Sequence, residues 1–199
     1  MSLTNSLRSF LAAIVPTADA HCDTAGGPAV TDGRRALETG NVNHALKWIH
    51  AEGEAELKEV FTKALAVRQL GPQAAEVADR LFLETLVRIH RMGEGVGFTG
   101  IQPTGAQVDP IVVAADRALE SGDDQEVRQL APAERRDELH RRFHVALGKK
   151  NFDVDDVPAA RDYVAAYVSF FKYAEGEDHA HGHHAPGADA HAHHGEHRH

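Results

Sequence analysis

The feature that most constrains this chain is an internal repeat. Residues 28–40 (PAVTDGRRALETG) return 82 positions later as residues 110–122 (PIVVAADRALESG). The register continues through Leu57 and Leu139, Phe61 and Phe143, Ala64 and Ala146, Leu65 and Leu147, and Ala78 and Ala160. Similarity held in one unbroken register implies two related units, 28–95 and 110–175, packed face to face around a shared core with pseudo-twofold symmetry. The expected domain is therefore 28–175.

Each unit reads as helix. Pro28 and Pro110 suit the first turn, where the missing N–H costs nothing, and Gly40 and Gly122 supply a left-handed stop. A second helix, about 54–67, places Leu57, Phe61, Ala64 and Leu65 on one face, and its copy places Leu139, Phe143, Ala146 and Leu147 likewise. A third, about 72–92, is apolar at Val77, Leu81, Leu86 and Ile89, with Arg80, Glu84 and Arg88 as a charged ladder. Its copy, about 157–173, carries Tyr163, Val164, Tyr167, Val168, Phe170 and Phe171. No alternating strand pattern competes. The expectation is an all-α helical bundle of two tandem duplicated units that buries Leu57, Phe61, Leu81, Leu86, Leu139, Phe143, Tyr167 and Phe171.

Composition narrows the function. Lys plus Arg number 21 against 30 Asp plus Glu, a net charge of −9, with no basic run to track a phosphate backbone. No apolar stretch approaches the ~20 residues that span a bilayer. The single cysteine, Cys22, excludes an intrachain disulfide framework and a Cys-rich zinc site. Fifteen histidines are the unusual count.

Both ends fall outside the repeat. Residues 1–20 read as a cleavable leader: Arg8, a short apolar run from Phe10 to Val15, Pro16, then Ala18-Asp19-Ala20, small residues where a signal peptidase needs them. The cut falls before His21. A secreted or cell-envelope protein follows if the leader is a signal peptide, and a cytoplasmic one if it is a propeptide. An N-terminus that is never removed is the alternative. Residues 176–199 form a low-complexity tail with nine histidines, His179, His181, His183, His184, His191, His193, His194, His197 and His199, and nothing large to bury. Such a segment is expected to be disordered without metal, and its imidazoles to bind divalent ions, zinc included.

Residues 20–27 (AHCDTAGG) carry the most specific signal. Cleavage before His21 puts an amine, an imidazole and a thiolate within two residues. Amine, amide nitrogen and thiolate close adjacent chelate rings, a near-planar N/S set that suits nickel or copper better than tetrahedral zinc. The string resembles the N-terminal hook of the nickel-containing superoxide dismutases, whose leaders are also removed just before His-Cys-Asp and whose mature domains are helical bundles. The resemblance implies a metal held by His21 and Cys22. Where that family has its second cysteine this chain has Gly26, a departure that favours metal binding over redox catalysis. The remainder of the chain resembles an uncharacterised helical domain family.

The other histidines are weaker candidates. His90 shares a helix face with Leu83, Leu86 and Val87, which suits a core histidine bonded to backbone, or a ligand completing the hook. His44 and His50 flank Trp48, where a surface role competes with ligation. His140 and His144, four apart, read as a solvated face. Gly95-Val-Gly97-Phe-Thr-Gly100 matches a dinucleotide fingerprint by letter only, since no strand precedes it, and reads as a linker between the repeats.

The leading expectation is a transition-metal-binding protein, nickel or copper, with the hook (residues 21–27) as the tight site and the tail acquiring or buffering ions. Its partners are divalent ions, with self-association open. A redox metalloenzyme like nickel superoxide dismutase, and a helical scaffold with incidental histidines, are the alternatives.

Overall fold

A computed structural model describes residues 24–103 and 109–176. The leader, His21, Cys22 and the histidine tail lie outside the described residues. What is described is all-α: α1 (Pro28–Thr39), α2 (Asn43–Leu46), α3 (Glu54–Arg68), α4 (Pro72–Gly93), α5 (Pro110–Ser121), α6 (Gln125–Leu130), α7 (Arg136–Lys149) and α8 (Val157–Ala174). Single 3₁₀ turns, Ala51–Gly53 and Ala133–Arg135, lead into α3 and α7. No described helix is long and apolar enough to cross a membrane.

The predicted punctuation is in place. Gly40 and Gly122 end α1 and α5 with φ of 71° and 80°. An L side chain would be strained there, so glycine lets the chain turn back. Pro28 and Pro110 open those helices, the second behind Asp109, whose side chain accepts from the Ile111 N–H at 3.0 Å. The starts of four elements recur at the spacing of the sequence repeat: Pro28 and Pro110, Asn43 and Gln125, Ala51 and Ala133, Glu54 and Arg136. So does a tie that closes each first helix. Arg68 donates to the Leu37 carbonyl at 2.6 Å, and Lys150, also 82 positions on, to that of Leu119 at 2.5 Å.

In each half the long antiparallel pair, α3 with α4 and α7 with α8, packs along its length, and the first helix (α1 or α5) lies on the last. Close approach matters at Gly33, where a Cβ would stand 2.7 Å from Leu83 Cδ2. The buried apolar residues of both halves form one cluster. Trp48 meets Tyr167 edge to face, centroids 6.0 Å apart, and Arg161 donates to the carbonyls of Ile49 (2.9 Å) and Leu46 (3.3 Å) while pairing with Glu54 (2.6 Å). One half thereby caps the backbone of the other.

Seven of the eight residues expected in the core are buried; Leu81 is not. It is 56% exposed, and Val77 is 68% exposed. At 100° per residue these two lie on the row of α4 that continues to Glu84 and Arg88, whereas Leu86 and Ile89 continue the row of Ala78 and Phe82. The apolar residues of α4 fall on two different faces. The charged ladder on that row is also only partly internal: Arg80 pairs with Glu84 at 2.8 Å, but Arg88 reaches across to Glu56 on α3.

Candidate functional site

The described chain begins within the expected hook, at Thr24. Thr24 is buried and forms an isolated parallel bridge with Gln102; the Ala25 N–H donates to the Gln102 carbonyl at 2.8 Å. Arg34, nearly two turns into α1, donates to the Ala25 carbonyl at 2.6 Å, and the Gly27 N–H closes back on Thr24 O at 2.8 Å. Residues 24–27 are thus tied to α1 and to the loop that follows α4. That loop contains the glycines at 95, 97 and 100, and it is the expected linker. Gly26 is exposed within this turn.

His90 lies at the C-terminal end of α4, 6% exposed, with Trp48 packed against it. Its Nδ1 is 2.7 Å from the Trp48 carbonyl. A carbonyl only accepts, so Nδ1 carries the proton. Nε2 lies 3.8 Å from Glu94 Oε2, and the indole of Trp48 meets the imidazole edge to face at 6.0 Å. The bond to backbone is the core arrangement weighed for this residue. His50 is exposed, its ring seated over Gly93, where a Cβ would stand 2.5 Å from His50 Cδ2.

His44, at the start of α2, is half-buried. Burial first, then the charge of Arg35, pushes its pKa below the ordinary value, so the neutral, ligand-competent imidazole is favoured. Nearby, Asn41 and Asn43 both donate to Asp155 Oδ1 at 2.9 Å and hold that carboxyl below the usual range. The structure does not assemble His44 or His90 with further ligands: among the described residues no three His, Cys, Asp or Glu side chains are placed to hold a metal ion. His21, Cys22 and the tail histidines, 179 to 199, lie outside the described residues.

One polar cluster escaped sequence reasoning. Lys47, 9% exposed, reaches Asp32 at 2.9 Å, and the same Asp32 oxygen accepts from Trp48 Nε1 at 2.8 Å. The ammonium also lies over the rings of Trp48 (5.9 Å) and Phe152 (5.1 Å), where the aromatic quadrupoles favour a cation. Across the junction Tyr167 donates to Asp116 at 3.1 Å. Burial, then the charges of Asp32 and Asp116, raises the pKa of the neighbouring Tyr163. The hydrogen-bonded and ion-paired partners are 15 to 51 positions apart in sequence, and the local signal is a cation beside the single tryptophan.

A family model described as a family of unknown function, DUF6448, matches residues 26–173. The matched span is the helical body; residues 20–25 and the histidine tail lie outside it. No curated protein and no solved structure matches the chain.

Proposed function

We propose, for a chain that belongs to the DUF6448 family of unknown function, that it is a transition-metal-binding protein. Nickel or copper would be held by the hook at His21 and Cys22, and the histidine tail would acquire or buffer the ion. The carrying observation is the string Ala18-Asp19-Ala20-His21-Cys22-Asp23 immediately before an anchored turn. A leader cut at His21 creates an α-amine, an imidazole and a thiolate within two residues, and Thr24 and Ala25 give that group a fixed point of attachment beside Gln102. A bound ion keeps the thiol ionised at neutral pH.

The likeness to nickel superoxide dismutase rests on residues 20–27 alone. Gly26 in place of a second cysteine leaves one thiolate, thin equipment for cycling a metal, so binding and handling stand ahead of redox catalysis.

The test is the intact mass, metal content and absorption spectrum of protein purified from its native host. The mass should start at His21, and nickel or copper should give a thiolate-to-metal charge-transfer band that Cys22→Ser removes, since a hydroxyl is a far poorer ligand. A metal-loaded protein that starts at Met1 or Ser2 would overturn the hook. So would equal binding with and without Cys22. Superoxide turnover lost in Cys22→Ser would move the assignment to the redox enzyme.

A further inference from the structure

We propose that the helical body carries a metal seat of its own, formed by His140 and His144 on α7 and oriented by Asp124. It is independent of the hook and of the tail. The two imidazoles stand one helical turn apart, ring centroids 4.4 Å from each other and planes at 87°. Donors at positions i and i+4 share one face of a helix, so a single ion can take both in adjacent coordination positions.

Asp124 supplies the second observation. It sits at the N-terminal boundary of α6, its side chain 10% exposed, and Oδ2 lies 2.7 Å from His140 Nδ1. A carboxylate so placed holds the proton on Nδ1, which leaves the Nε2 lone pair as the ligand atom and fixes the plane of the ring. This is the carboxylate–histidine arrangement that stands behind metal-bound imidazoles and raises their basicity. His140 is itself 44% exposed and His144 is exposed, so an ion can reach both from solvent. The His144 and Phe143 rings meet edge to face, centroids 5.1 Å apart, which restrains the second donor. The neighbouring Arg141 and Arg142 are both turned onto Glu138 at 2.6 and 2.7 Å.

Two protein ligands, with water in the remaining positions, define an open seat for a divalent first-row ion that favours imidazole: copper, nickel or zinc. The corresponding positions of the first half are Lys58 and Thr62, so the seat belongs to one half only.

The full-length protein, labelled with ¹³C and ¹⁵N at histidine, is titrated with Cu(II) and followed by NMR. His50, which is exposed, serves as the internal reference. The rings of His140 and His144 should broaden together, at a copper concentration at least about tenfold below that needed for His50, because the second donor binds intramolecularly. In His144→Ala, whose substituted side chain is exposed, His140 should lose that advantage while the tail resonances respond as before. Asp124→Ala should weaken the seat about tenfold or more, and its ring nitrogen shifts should show His140 in mixed tautomers, which a merely structural role for Asp124 would not produce. The proposal is overturned if His140 responds at the same copper concentration as His50, or equally with and without His144.

Discussion

Glu138 shows how a single residue on α7 ties local order to pH. Arg141 and Arg142 both donate to it, and those hydrogen bonds hold its carboxyl well below the ordinary value, at about 2. A carboxyl whose pKa is lower folded than unfolded contributes stability that is complete above the unfolded value near 4.5. The contribution fades as pH falls from there toward 2. The side chain is one-third exposed, so solvent screens the pair and the effect is modest. Glu138→Gln should therefore unfold at a slightly lower temperature than wild type at pH 7, with the difference closing between about pH 4.5 and 2. Thermal melts across that range check it; a difference unchanged down to pH 2 contradicts the assignment. Glu54 behaves in the same sense, lowered by hydrogen bonds from Lys58 and Arg161.

At the scale of elements, the helices are specified locally and their junction is not. Capping and periodicity place α1, α3, α4, α5 and α8 within a residue or two of their predicted ends, and α7 carries the face expected of it. The short α2 and α6 have no legible counterpart in the sequence pattern, because four and six residues are too few to show a period. What locks α8 to the first half is Arg161, whose guanidinium satisfies the Leu46 and Ile49 carbonyls at the end of the α2 segment and pairs with Glu54 at the start of α3. Removing it takes a charged donor from both partly buried carbonyls and leaves Glu54 with Lys58 alone. Arg161→Ala should cost about 1.5–3 kcal/mol, the range for hydrogen bonds to a charged group. Arg161→Lys should recover little, since one ammonium cannot reproduce the planar fork. Denaturant midpoints of the three proteins test this, and full rescue by lysine would refute it.

For the molecule as a whole, the consequence of one apolar cluster is cooperativity. Phe61 and Phe143 occupy positions 82 apart, each buried, each tilted against a phenylalanine of the following long helix: Phe82 at 5.3 Å and Phe170 at 5.7 Å. Truncating either to alanine should cost roughly 3–5 kcal/mol through lost transfer energy and the cavity left behind. Because the halves share Trp48, Tyr167 and Arg161 across their junction, both variants should shift the same single transition rather than split it. Calorimetry resolving two transitions, with each substitution moving only its own, would show that the halves fold independently. On the common spacing of element starts, we propose that the halves arose by duplication of one helical unit.

The sequence alone determined the helical class, most helix ends and most of the core, because proline, glycine and a 3.6-residue apolar period act over a few neighbouring residues. The same local logic erred at Val77 and Leu81, where apolar side chains sit on a row that nothing in the described chain covers. Which polar groups meet is set by how the elements pack. Asp32 with Lys47 and Trp48, Tyr167 with Asp116, and Asp124 behind His140 are pairings between different elements, and no pattern within one element encodes its partner. His140 illustrates the division. Its four-residue spacing from His144 is legible in the sequence and suits a solvated face; the buried carboxylate beside it enters only when α6 folds against α7.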